Sequence, residues 1–71
     1  MSKYDPLWQR IRESGKPQLQ LTFDEIEEIL GFPLDHAFLQ YKKELTDFGY
    51  EVRRISLKAR MVFFDQRKEL P

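Results

Sequence analysis

Cysteine is absent from this chain of 71 residues, and histidine occurs once, at His36. Without cysteine there are no disulfides and no thiolate metal sites, and a lone histidine with no second ligand at helical spacing argues against a metal site. No apolar run approaches the ~20 residues of a membrane span. The sequence also lacks a phosphate-binding glycine loop, a histidine pair and a nucleophile signature. We therefore expect a cytoplasmic protein that is not an enzyme and holds no metal or cofactor.

The charge is unevenly distributed although the formal net charge is zero. Residues 1–40 carry four basic and seven acidic side chains, whereas residues 41–71 carry eight basic and five acidic ones. A chain polarised in this way can present a basic face while its net charge vanishes. The zero net charge therefore does not exclude nucleic acid as a partner. The alternative explanation of the uneven distribution is that these are ordinary solvated surface charges.

Three segments have the caps and the apolar spacing of amphipathic helices: residues 5–14, 23–30 and 36–48. Asp5 is expected to cap the first helix, with Pro6 in its first turn and Trp8 as its core residue. Thr22 and Glu25 form a capping box ahead of the second helix. Each helix is expected to end at a glycine: Gly15, Gly31 and Gly49.

The third helix has the most regular apolar stripe in the sequence: Leu34, Phe38, Tyr41, Leu45 and Phe48. This spacing predicts that Phe38, Tyr41 and Leu45 are buried. The polar residues His36, Gln40 and Lys43 fall on the opposite side of the same helix. That side is a solvated face or the surface of a recognition helix.

Extended structure is predicted on both sides of this helical region. Residues 19–21 alternate in polarity and form a short strand, whereas residues 50–57 and 61–64 form a hairpin with a loop at 58–60. A three-residue loop would place Leu57 opposite Met61, Ile55 opposite Phe63 and Arg53 opposite Asp65, and it would require a left-handed Arg60. In that register Val62 and Phe64 face outward. Residues 66–71 lack a pattern and are expected to be a frayed tail, so the domain covers residues 1–65.

The order helix, strand, helix, helix, strand, strand predicts an α+β domain of the winged helix-turn-helix type. The sequence also resembles a family of small, uncharacterised bacterial domains that open with Tyr-Asp-Pro-Leu and have Leu-Thr-Phe-x-Glu-Ile-Glu-x-Ile-Leu-Gly at their centre. These motifs correspond here to residues 4–7 and 21–31. The paired tryptophans of that family's third helix are missing, so no functional residue transfers. Glu27 also replaces the small buried residue that DNA-binding helix-turn-helix motifs have four positions before the turn glycine.

Two functions fit this prediction. In the first, the domain binds duplex DNA through its third helix and its basic hairpin. The residues expected to contact DNA are His36, Gln40, Lys42, Lys43, Arg53, Arg54, Lys58 and Arg60. In the second, the hairpin is a protein-interaction or homodimerisation surface, because Val62 and Phe64 would form an exposed apolar patch; the alternative is that Tyr50, Val52 and the tail cover them.

Overall fold

The structure, a computed structural model, describes residues 2–67 and has the predicted α+β architecture, with three helices and a three-stranded antiparallel sheet. Helix α1 covers Asp5–Ser14, strand β1 Gln18–Thr22 and helix α2 Phe23–Leu30. Helix α3 covers Ala37–Tyr41 and continues as a 3₁₀ helix over Lys42–Phe48. Strands β2, Tyr50–Ser56, and β3, Met61–Gln66, form the hairpin.

The first two helices have the predicted bounds and end at the predicted glycines. At the start of α2 the Glu25 amide donates to Thr22 Oγ1 at 3.0 Å, and the Thr22 amide donates to Glu25 Oε1 at 2.8 Å. This reciprocal pair confirms the capping box. Asp5, in contrast, is not the cap of α1. That position belongs to Tyr4, which makes no capping hydrogen bond with its side chain, and Asp5 already lies in the first turn.

The third helix is α-helical only as far as Tyr41, so the prediction of one α-helix over residues 36–48 is wrong in its second half. A 3₁₀ helix turns by about 120° per residue rather than about 100°, which changes the phase of the apolar stripe. The Thr46 hydroxyl donates to the Lys43 carbonyl at 2.8 Å, a local bond that suits this tighter turn. Phe38 and Leu45 are buried as predicted, but Tyr41 is 40% exposed.

The sheet has the strand order β1-β3-β2, so the last strand lies between the other two. Leu19 and Leu21 of β1 lie opposite Phe64 and Val62 of β3 and share their side of the sheet. This side packs against the helices. The other side, which we call the outer face, carries Phe63 at its centre.

The predicted hairpin register is wrong. Ser56 pairs with Met61, Arg54 with Phe63 and Ile55 with Val62, and residues 57–60 form the loop. The loop has four residues rather than the predicted three, which shifts these pairs by one position, and a bulge between Val52 and Arg54 shifts the pairing again farther along the strands. Val52 and Ile55 are three positions apart and would point to opposite faces of a regular strand, whereas the bulge lets both face the helices. Arg60 does adopt the predicted left-handed conformation, with φ of 54°.

Because of this register, Val62 and Phe64 lie in the core rather than on the surface. Both are essentially inaccessible to solvent, so the predicted exposed patch at these two positions is wrong. They join a core that also contains Trp8, which is buried as expected. The other buried members are Tyr4, Leu7, Ile11, Ile26, Phe38, Leu45 and Tyr50.

The end of the hairpin is more ordered than predicted. Gln66 belongs to β3, and its amide donates to the Pro17 carbonyl at 2.8 Å. The Arg67 amide donates to the Gly49 carbonyl, also at 2.8 Å. The predicted frayed tail therefore does not include residues 66 and 67, and its remainder, residues 68–71, lies outside the described residues.

Candidate nucleic-acid interface

The four candidate contact residues of the third helix are all exposed: His36, Gln40, Lys42 and Lys43. His36 immediately precedes α3, and Gln40 lies within it. Lys42 and Lys43 lie on the 3₁₀ helix that follows. Residues three apart are nearly eclipsed in a 3₁₀ helix, so Lys43 lies on about the same side of the helix as Gln40.

The N-terminal segment holds this helical region at both ends. Before α3, Asp35 accepts hydrogen bonds from the Tyr4 hydroxyl and from Lys3 Nζ, the latter at 3.0 Å. On the 3₁₀ helix, Glu44 accepts from the Ser2 hydroxyl and from Trp8 Nε1, the latter at 3.1 Å. His36, Gln40, Lys42 and Lys43 lie between Asp35 and Glu44 in the sequence. Their segment is therefore attached at both ends to α1 and to the residues just before it.

These contacts shift the pKa values of the groups that form them. The hydrogen bond from Tyr4 and then that from Lys3 lower the pKa of the Asp35 carboxyl below its ordinary value. The hydrogen bond from Ser2 lowers the pKa of Glu44, and the Trp8 indole contributes in the same direction. Burial, followed by the hydrogen bond to Asp35, raises the pKa of the Tyr4 hydroxyl. Both carboxyl groups are therefore stabilised in their charged form.

The structure separates the basic residues of the hairpin into two groups. Arg53 and Arg54 lie on the outer face of the sheet, away from the helices. The Arg54 guanidinium stacks on the Phe63 ring at 4.6 Å from its centroid, and Arg53 Nε lies 3.7 Å from Asp65 Oδ2. The DNA-binding hypothesis placed these two arginines in one surface with the third helix. The structure places them on a different side of the domain.

Lys58 and Arg60 lie in the hairpin loop, residues 57–60, and Lys58 is exposed. Arg60 Nη2 lies 3.6 Å from Asp24 Oδ1 at the start of α2, and its guanidinium is 5.8 Å from the centroid of the Phe23 ring. The charge of Arg60 is thus partly compensated. Lys42, Lys43 and Lys58 form no salt bridge with any carboxylate among residues 2–67.

An apolar groove connects the hairpin to the start of the third helix, and no pattern in the sequence predicts it. Its lining includes Leu57 and Ile55 of the hairpin together with Leu39 and His36 of the third-helix region. Leu57 is 79% exposed and Leu39 is 51% exposed. The sequence offered one signal, an isolated leucine beside the polar loop, but the predicted register assigned Leu57 to a strand pair with Met61.

The groove also shows which candidate residues approach each other. His36 lines the same groove as Leu57, the residue before Lys58, and Gln40 directly follows Leu39, which also lines it. The start of α3 and the hairpin loop therefore border one surface of the domain. Its centre is apolar, the polar lining residues are Asp35 and His36, and Gln40 and Lys58 each follow a lining leucine in the sequence.

Other kinds of site have less support in residues 2–67. This part of the chain contains no group of three or more histidine, aspartate or glutamate side chains that could hold a metal ion. Its helices are all too short or too polar to cross a membrane. Comparisons of the chain with protein-family models, with curated proteins and with solved structures give no match.

Proposed function

We propose that this protein is a winged helix-turn-helix domain that binds duplex DNA. The support for the fold type is the order of elements together with the strand order β1-β3-β2, in which a C-terminal hairpin adds to a strand that precedes the second helix. In this fold the third helix enters the major groove and the hairpin contacts the adjacent backbone. The hairpin loop, residues 57–60, is the wing.

The observation that carries the proposal is the set of lysines without carboxylate partners among the described residues. Lys42 and Lys43 lie on the third helix segment and Lys58 on the wing, and all three are exposed. Cations that remain uncompensated within the domain are available to neutralise phosphates, the main source of affinity for DNA. Arg60 is a fourth phosphate contact when its guanidinium leaves Asp24, with which it forms an exposed salt bridge, and binds a phosphate instead.

In the proposed complex, α3 and the residue before it contact the DNA bases. Gln40 is the residue suited to reading a base edge, since an amide can pair with adenine in the major groove. His36 lies one helical turn earlier, beside the apolar groove. Lys42, Lys43 and Lys58 would orient the domain on the duplex without reading sequence.

The location of the charges yields a matched pair of variants. Lys58→Glu reverses a charge on the wing, and Arg54→Glu reverses a charge on the same hairpin but on the outer face. We expect Lys58→Glu to weaken binding to a random-sequence duplex about tenfold or more at low salt, because one phosphate contact is replaced by repulsion. Arg54→Glu should have a much smaller effect, which fluorescence anisotropy would measure.

Equal losses in the two variants would mean that affinity follows the net charge and not this surface. No loss in Lys58→Glu would remove the wing from the interface. Circular dichroism of both variants establishes that each remains folded, and both substitutions are at exposed positions, where little effect on stability is expected.

A further inference from the structure

Strand β1, Gln18–Thr22, lies at one edge of the sheet, because β3 is its only neighbouring strand. Hydrogen bonds at the two ends of β1 show which of its peptide groups face β3. The Gln66 amide donates to the Pro17 carbonyl at 2.8 Å, and the Phe23 amide donates to the Arg60 carbonyl at 2.9 Å. The residues that flank β1 on either side are therefore both bonded to the β3 side.

The alternation of an antiparallel ladder assigns the peptide groups between these two bonds. Residues 17, 19, 21 and 23 bond to the β3 side, so the amides and carbonyls at positions 18, 20 and 22 point away from the sheet. The Thr22 amide agrees with this direction, because it donates to Glu25 Oε1, and Thr22 is also the cap residue of α2. Gln18 and Gln20 are exposed, and no loop or helix of residues 2–67 bonds to their two amides and two carbonyls.

The two edges of the sheet are built differently. Strand β2, at the other edge, has a bulge between Val52 and Arg54 and carries the charged side chains of Glu51, Arg53 and Arg54. Bulges and charges are the usual devices that prevent a further strand from pairing with an edge. Strand β1 has a regular register and contains no charged residue and no proline. It is therefore the edge that can accept another strand.

We propose that β1 pairs with β1 of a second copy of the chain, antiparallel and about a two-fold axis, which joins the two sheets into one sheet of six strands. The axis passes beside Leu19, so Gln18 of each copy lies opposite Gln20 of the other. The two free amides and two free carbonyls of each copy then form four hydrogen bonds between the copies. An axis beside Gln20 would instead place Gln18 opposite Thr22, whose amide already bonds to Glu25.

The proposal does not rest on DNA binding, and it uses β1 rather than the hairpin that the sequence favoured as an interface. The side chains also match in this register. Leu19 meets Leu19 of the second copy, and Leu21 meets Pro17 of the second copy, on the side of the sheet that packs against the helices. Both leucines are only half-buried within one chain, so the pairing removes apolar surface from water.

One charge pair at each end of the paired strands favours a second copy as the occupant. Position 16 of one copy lies opposite position 22 of the other in this register. Lys16 is exposed and forms no salt bridge within residues 2–67. The Glu25 carboxylate is bound to the Thr22 amide, which faces the free edge. Lys16 of each copy can therefore approach Glu25 of the other, and such complementarity fixes the register of an interface.

The affinity of an added strand comes mainly from its main-chain hydrogen bonds rather than from the area that it buries. Four such bonds are few, so we expect weak association in the micromolar to millimolar range. Sedimentation equilibrium of the full chain between about 10 μM and 1 mM would measure it.

Paired substitutions at the exposed glutamines test the register. Gln18→Lys with Gln20→Lys places lysines opposite each other across the axis, so the association constant should fall at least about tenfold. Gln18→Lys with Gln20→Glu places each lysine opposite a glutamate, so association should equal or exceed that of the wild type.

A third variant controls for net charge. Gln9→Lys with Glu13→Gln adds the same positive charge as the double lysine variant, but at exposed positions of α1. Its association should equal that of the wild type. Circular dichroism would verify that all three variants are folded.

Hydrogen exchange provides an independent readout at two amides. Because the Gln18 and Gln20 amides are free in the monomer and bonded in the dimer, their exchange should slow about twofold where half of the chains are dimeric and about tenfold where nine-tenths are. The Lys58 amide, in the hairpin loop, should exchange at the same rate at low and high protein concentration.

A wild type that remains monomeric at about 1 mM would overturn the proposal and leave this edge for a strand of a different protein. Equal association of the double lysine variant and the lysine–glutamate variant would overturn it as well. So would a dimer in which exchange at Gln18 and Gln20 does not slow.

Discussion

The hydroxyl of Tyr4 donates a hydrogen bond to the carboxylate of Asp35, which joins the cap residue of α1 to a residue two positions before α3. The two residues are 31 positions apart in the sequence, and they lie in different parts of the domain. Tyr4 is a core residue in aromatic contact with Trp8 and Phe38, with ring centroids 5.9 and 5.8 Å away. Asp35 is at the border of the candidate interface. The position of the third helix therefore depends on the core through this bond.

Replacement of Tyr4 by phenylalanine tests that dependence. Tyr4→Phe keeps the buried ring but removes the donor, so we expect a lower urea midpoint and faster hydrogen exchange at the start of α3. Tyr41→Phe is the matched control, because the Tyr41 hydroxyl makes no hydrogen bond to the rest of the described chain. Equal effects of the two substitutions would show that the Tyr4 hydrogen bond does not position α3.

Acid should weaken the same attachment. The folded-state pKa values of Asp35 and Glu44 lie below their ordinary values of 3.8 and 4.5. Their contribution to stability is therefore fully present above those ordinary values and is lost as the pH falls through the lower folded values. We expect the urea midpoint to be steady from neutral pH to about 5 and to fall below about 4.

The double variant Asp35→Asn, Glu44→Gln is the control for this pH dependence. It should be less stable at neutral pH and should show a smaller decrease in acid. If the decrease is the same as in the wild type, other carboxyl groups cause it.

The two faces of the hairpin can be distinguished by one substitution at neighbouring positions. Phe64→Lys places a charge in the core, so we expect a loss of about 3 kcal/mol or more in the free energy of unfolding, enough to unfold so small a domain. Phe63→Lys places the same charge on the outer face and should leave the protein folded. Thermal unfolding followed by circular dichroism measures both, and a tolerated Phe64→Lys would contradict the register.

Leu45 is the residue through which the 3₁₀ helix enters the core. Leu45→Ala should cost about 2–5 kcal/mol, as is usual for a fully buried leucine. Leu39→Ala, at an exposed position of the preceding helix, should cost less than about 1 kcal/mol. Chemical denaturation would compare the two, and similar losses would mean that the 3₁₀ segment packs differently.

Local signals in the sequence predicted much of the fold. The capping box at Thr22 and the glycines that end the helices depend on residues close in sequence, and the structure confirms them. The bulge between Val52 and Arg54 has no such local signal, because it arises where two apolar residues three positions apart both pack against helices. The wrong register came from the loop, which has four residues rather than the predicted three, and with it came the outward placement of Val62 and Phe64.

The candidate site was predictable to a smaller extent. Exposure of His36, Gln40, Lys42 and Lys43 followed from helical periodicity, and the structure agrees. Arg54 lies on the outer face because the four-residue loop pairs it with Phe63, and Arg53 lies there because of the bulge; the predicted register included neither the four-residue loop nor the bulge. The groove between Leu39 and Leu57 is formed by residues distant in sequence, so no pattern in either segment could indicate it.

The salt dependence of binding to random-sequence duplex DNA tests the proposed function most directly. With Lys42, Lys43, Lys58 and Arg60 as phosphate contacts, we expect the logarithm of the association constant to fall with the logarithm of salt concentration at a slope of about −3 to −4. The wild-type protein would be titrated by fluorescence anisotropy at several salt concentrations. A slope in this range supports the proposal, whereas no detectable binding even at low salt would contradict it.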